Sequence, residues 1–457
     1  MTVRHFIIPA YLVLCILLGG SGAAGFMSNL LLQLLALPII VAALMRQKQN
    51  SPAAARRLLW LTAAMIVVVL IQLIPLPPGV WRNLPGRESV AQGFELLGVP
   101  LPWLPISLAP DRTLPSLLFL LPAFAVLIGV IRLGAYRAPY LAWALITVSI
   151  AAILVGSLQV TGGADSPLYF YRITNWGQAV GFFANSSHMA NLLLITIPFL
   201  GALYAEAISG RSRSARRSSG MVVVIATIGL IVLVGLGINQ SLAGWGLAVP
   251  VIGASVLLVR YRRDPIPAWA PIAGAILTLG VVAAIFTLPL TDNPLAVSTR
   301  ESTQSRATFV SVTLEKAAEY FPVGSGIGSF VDVYRTSENP QTVVNAYVNH
   351  AHSDPVEVFL ETGLPGLILM LLLLAWWGAR AWIVWGAGDR PDHFARAATI
   401  ASAAIMAHSL VEFPLRTAAI SSLFVMCLAL MAQPRPAARH KRTEAENDEK
   451  PLRHMTA

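Results

Sequence analysis

Apolar runs of about 17–25 residues recur along this 457-residue chain, and nothing constrains its fold more. A helix of that length crosses the hydrocarbon core of a bilayer with its backbone N–H and C=O groups satisfied internally. Only 12% of the residues are charged, against about 25% in a soluble domain. The alternating short strands of an outer-membrane barrel are absent. The chain therefore reads as an all-α integral membrane protein.

About twelve spans are expected, near 6–25, 29–45, 58–75, 114–131, 138–158, 185–207, 220–238, 241–259, 268–289, 356–378, 397–413 and 416–432. The start reads as an uncleaved first span, because a second follows at once. Residues 1–434 form one polytopic membrane domain, and 435–457 a charged, disordered tail. Counting Arg4 and the tail, 23 of the 32 Lys and Arg residues fall on one side of these spans. By the positive-inside rule that side is cytoplasmic, with both termini inside. The net charge of +10 is thus mostly a topology signal, and nucleic acid is not the expected partner. Cys15 and Cys427 lie in apolar runs, which argues against a disulfide.

Three outward segments are long: 76–113, 159–184 and 290–355. Polarity gathers at the end of the third, in "NHAHSDPVEVFLETGLPG", 349–366. "DPVE" is a helix-start signature, with Asp354 as N-cap, Pro355 at the first helical position and Glu357 at the third. His352 then lies just outside the first turn and is the candidate general base. The free N–H groups of such a helix end attract anions, phosphate especially. Glu361 shares a face with Glu357 near the membrane surface and needs a cation, most simply an arginine from 290–355. Gly363 and Gly366 read as close-packing positions and Pro365 as a kink. The plainer alternative is a capped helix with a polar shoulder.

"SRATFVSVTLEKAAEYF", 305–321, has helical periodicity and reads as an amphipathic helix at the membrane. Arg306 falls in its first turn, where a cation is unfavourable unless an anion is near. It is placed for a ligand or for Glu361. "GSGIGS" at 324–329 has glycines that let backbone approach a phosphate, but it fits no P-loop, and a turn is the simpler reading. In 169–193, Arg172 is the one basic residue, and Asn185, His188 and Asn191 have helical spacing. The aromatic residues there are an interfacial belt or a surface for sugar rings. Glu412 and Arg416 flank the turn "HSLVEFPLRT" and are able to pair across it. The acidic residues are scattered, so no metal site and no cofactor are expected. The spans lack the charged relays of proton-coupled transporters.

These residues resemble the O-antigen ligase and polymerase superfamily. The family pattern is His, then Asn, Ser or Gln, nine residues, Gly, two residues, and Gly, Thr or Tyr. His352, Ser353, Gly363 and Gly366 match it in full. The Arg306-led helix, "GFFANSSHMANLLLITIPF" and "HSLVEFPL" also look like recurring family stretches. The resemblance implies a GT-C-like fold and an inverting, metal-independent membrane glycosyltransferase in the bacterial inner membrane. Its donor would be a glycan on undecaprenyl pyrophosphate and its acceptor a sugar hydroxyl, on lipid A–core for a ligase. Carried over, His352 would activate the acceptor, Arg306 and Arg172 would hold the pyrophosphate, and Ser353, Asn185 and Glu361 would line the substrate site. Val180 and the run Ser241-Leu242-Ala243-Gly244 stand where family members carry arginines, which puts Arg172 in question. A polysaccharide polymerase of the same superfamily is the alternative, and a lipid-linked glycan transporter the alternative from another class.

Overall fold

The computed structural model describes residues 3–22, 26–46, 51–209, 215–261, 267, 269–287, 294–338, 348–386 and 391–433. The expected tail at 435–457 and part of each basic stretch at 211–217 and 260–263 lie outside the described residues.

The chain is mostly helical. In order, its helices are α1 (Ile7–Leu18), α2 (Phe26–Met45), α3 (Ala53–Ile71), α4 (Pro78–Trp81), α5 (Glu88–Leu96), α6 (Pro110–Leu118), α7 (Leu121–Ile128), α8 (Ala138–Gly162) and α9 (Ser186–Ser209). They continue as α10 (Ala215–Asn239), α11 (Leu242–Arg260), α12 (Trp269–Thr287), α13 (Pro294–Glu319), α14 (Phe330–Arg335), α15 (Asp354–Trp385), α16 (His393–His408) and α17 (Ala418–Ala432). Two dipeptide strands, β1 (Pro75–Leu76) and β2 (Leu104–Pro105), pair antiparallel and tie off the 76–113 segment.

Among the described residues, eight helical stretches are long and apolar enough to cross a membrane, and three shorter apolar ones accompany them. This is the make-up of an all-α membrane protein. The expected eleventh span, 397–413, is shortened: α16 stops at His408, and Glu412 and Phe413 belong to the connection that leads to α17.

The buried centre is α9, which packs against α8, α10, α11 and α16. α8 and α10 run antiparallel to it and α11 parallel, so the bundle has two distinct ends. At one end arginines close helix carboxyl termini, where the dipole and unpaired carbonyls favour a cation. Arg46 donates to the carbonyls of Arg132 and Leu133, Arg380 to Met431 and Arg396 to Tyr261. At the other end the starts of α9, α15 and α17 meet: Gly19 and Gly20, just past α1, accept from Ala419 N and Ala184 N.

Near this second end α15 is broken at Gly363, which has φ 57° and ψ −140°. Pro365 is the cause. It has no N–H, so the Glu361 carbonyl loses its helical donor. Gly326 N and Gln72 Nε2 replace it, each at 2.9 Å. Leu364 N turns to the Pro322 carbonyl, and Ser325 N takes the Leu360 carbonyl that Leu364 would have used. "GSGIGS" is thus the turn that reseats a broken helix. Its backbone N–H groups at 325, 326 and 328 are all occupied by α15, which rules out the phosphate approach as the turn stands. Gly366 is likewise not an interhelix contact: the atoms a Cβ would meet there belong to Thr362 of the same helix. Gly363→Ala is expected to destabilise the protein by about 1–3 kcal/mol, because that φ, ψ pair suits glycine alone and a Cβ would run into the Pro322 carbonyl. Thermal unfolding of the purified protein measures the loss.

Candidate functional site

The site is built on the connection between α16 and α17, against the start of α15 and the middle of α13. Two ion clusters share it. In the first, Arg306 Nη2 donates to Glu412 Oε1 at 2.5 Å, and His352 Nδ1 lies 3.4 Å from Glu412 Oε2. The second distance is a close approach rather than a closed hydrogen bond, and neither atom has another hydrogen-bond partner among the described residues. Glu412 is fully buried. Burial pushes its carboxyl up, but the Arg306 guanidinium and then His352 outweigh this and hold it well below the usual carboxylate range.

In the second cluster Arg416 faces three carboxylates. Its Nε is 3.6 Å from Asp354 Oδ1, and its Nη2 is 3.4 Å from Glu357 Oε1 and 3.0 Å from Glu361 Oε2. Burial lowers the Arg416 pKa and the three carboxylates raise it, with a net rise. The acids are further held by the protein. Glu357 meets His350 Nδ1 at 2.8 Å and accepts from Ala351 N at 2.9 Å. Glu361 accepts from Gly328 N at 2.8 Å, and Asp354 from Leu415 N at 3.2 Å. Asp354 and Glu357 also lie in the first turn of α15, where the helix dipole favours negative charge.

Phe413 joins the two clusters. Its ring centroid is 4.4 Å from that of His350, 4.9 Å from His352 and 5.3 Å from His188. Phe309 of α13 covers His352 from another side, at 5.6 Å. His352 itself is held at φ 54°, a conformation uncommon outside glycine that recurs at functional sites. Its side chain is 21% exposed, open enough to meet a substrate.

Several expectations need correction. Arg306 is not in a first turn: α13 begins at Pro294, so Arg306 sits mid-helix and the dipole argument fails for it. Its partner is Glu412, not Glu361, and Glu361 pairs with Arg416. Glu412 and Arg416 therefore serve different clusters instead of pairing with each other. The N-cap of α15 is Ser353, whose side chain makes no cap bond and is buried, while Asp354 is the first helical residue. Asn185 caps α9, its Oδ1 accepting from Ser187 N at 2.8 Å. Arg172 is exposed, and among the described residues no hydrogen bond or ion pair joins it or Asn185 to His352. His350, without a role in the sequence, is the partner of Glu357. Glu412 was within reach of sequence reasoning, as the one acid of the "HSLVEFPL" stretch.

His188 and His408 are buried behind Phe413 and Glu412, with their ring nitrogens unpaired. Asn191, one turn further along α9, is the same.

No curated protein matches the chain at a significant level. Residues 227–371 match a protein-family model described as O-antigen ligase. That stretch runs from α10 to the first half of α15 and holds Arg306, His350, His352, Asp354, Glu357 and Glu361, while Glu412 and Arg416 lie beyond it. The match supports the reading first made from the spacing of His352, Gly363 and Gly366, that this chain is akin to the O-antigen ligase superfamily.

Proposed function

We propose that this protein is a membrane glycosyltransferase that moves a glycan from undecaprenyl pyrophosphate to a sugar hydroxyl, as an O-antigen ligase does, with lipid A–core as acceptor. One observation carries the reading: within the family match, His352 stands partly open to solvent with its Nδ1 turned to a buried carboxylate. That is the arrangement of a general base with an orienting acid.

In the reaction, His352 Nε2 takes the proton of the acceptor hydroxyl. The acceptor oxygen attacks the anomeric carbon of the donor sugar from the face opposite the pyrophosphate. The bond between that carbon and the pyrophosphate oxygen breaks, the electron pair leaves with undecaprenyl pyrophosphate, and the configuration inverts. Glu412 positions the ring through Nδ1 and stabilises the imidazolium that forms. Arg306, whose Nε has no acceptor, supplies positive charge toward the growing charge on the leaving group. Arg172, exposed and without an ion-pair partner among the described residues, is free to meet the same pyrophosphate. The basic end of the bundle faces the cytoplasm in this reading, and the His352 end the periplasm.

A strain lacking the gene tests the assignment. Loss of a ligase is expected to leave long glycans on the lipid carrier and bare core lipid, seen on gels of envelope lipids. Single repeat units on the core would instead identify a polymerase. An unchanged profile with impaired movement of the donor across liposomes would end the enzyme reading.

A further inference from the structure

The segment between α3 and α6 buries an arginine that forms no ion pair among the described residues, although Glu88 follows it in the chain. Arg87, on the turn before α5, is 2% exposed. Its Nη2 donates to the carbonyls of Ile106 at 2.5 Å and Gly324 at 3.3 Å, and its guanidinium lies 5.3 Å from the centre of the Tyr320 ring. Its Nε and Nη1 are buried with no acceptor. Burial pulls its pKa down. A desolvated cation with idle donors is unfavourable unless an anion or ordered water meets it.

Arg87 lines a cavity of about 230 Å³ whose other walls include Trp81, Val90, Phe94, Leu104 and Leu108. The polar groups nearest to it are already engaged: the Trp81 indole N–H donates to the Pro102 carbonyl, and the Ser107 hydroxyl is shared with Thr113 and Ala109 N. Arg87 is therefore the cavity's free polar function. Outside the cavity, Leu96 and Trp103 are 88% and 65% exposed. Exposed leucine and tryptophan together mark the interfacial layer of a bilayer. The segment also follows directly on α3, one of the helices able to span a membrane.

We propose that this cavity binds the phosphate of an anionic phospholipid, with Arg87 as its cation and the apolar walls taking the glycerol end of the acyl chains. Free phosphate gains nothing from those walls. A zwitterionic lipid finds no carboxylate among the lining residues for its ammonium. Because the same guanidinium holds the Gly324 carbonyl, an occupied site braces the turn on which the break in α15 rests.

Native mass spectrometry of the full chain in a neutral detergent tests this, with phosphatidylglycerol, phosphatidylethanolamine and inorganic phosphate added separately. The wild type is expected to bind a first phosphatidylglycerol about tenfold more tightly than phosphatidylethanolamine. Arg87→Gln should lose that preference. Val90→Phe fills the cavity and leaves every charge in place, so it should lose it too, and it decides the matter if Arg87→Gln does not fold. Binding of inorganic phosphate with no preference among the lipids would overturn the lipid assignment. An undiminished preference in Val90→Phe would overturn the site. Neither result depends on glycan transfer.

Discussion

His352→Ala is expected to lower glycan transfer by about 10²–10⁴-fold, the range a positioned acid or base contributes, and to leave the fold intact. The two halves of this expectation come from different parts of the site. The ring is partly exposed, so its removal opens no large cavity. Glu412 keeps its 2.5 Å bond to Arg306, so the variant strands no unpaired buried charge. What is lost is the nitrogen proposed to take the acceptor's proton. Turnover of a lipid-linked donor by purified protein, measured beside its thermal unfolding, separates the two. Wild-type turnover in the variant would remove His352 from the chemistry. Lost turnover with lost folding would make it structural.

Arg416→Met is expected to have the largest effect on stability, about 3–5 kcal/mol, the usual penalty for breaking a buried ion pair by removing one partner. Asp354, Glu357 and Glu361 would then face one another, buried, without their guanidinium. Since a whole domain is stable by only about 5–15 kcal/mol, the variant should accumulate poorly in membranes and unfold at much lower temperature. Adding Glu361→Gln should recover part of the loss, because one of the uncompensated charges is then gone. A single variant that unfolds like the wild type would mean that Arg416 is not the charge that holds the cluster.

The membrane class, most spans and the helix start within residues 349–366 were legible because each rests on local signals: apolar run length and a helix-start tetrad. The pairings were not. Arg306 and Glu412 are 106 positions apart and Glu361 and Arg416 are 55 apart, and no local rule selects one arginine over another for a given acid. Arg306 was misread because its helix begins at Pro294, well before the periodic stretch at 305–321. The glycines of 324–329 were ambiguous for a different reason. Their use as donors to α15 depends on the missing N–H of Pro365, and only the docked fold brings the two together.

The break at Gly363 separates α15 into a stub of about two and a half turns and a long rod. The stub carries Asp354, Glu357 and Glu361 and is pinned by Arg416 and the glycine turn. The rod exposes Leu371, Leu372, Leu374 and Trp382 along its length. A continuous helix would pass any change in its tilt straight to its first turn. Here the two halves are anchored separately, the rod by Trp376 to the Ala54 carbonyl and by Arg380 to the Met431 carbonyl, so the stub next to His352 takes its place from the connection between α16 and α17 rather than from the rod.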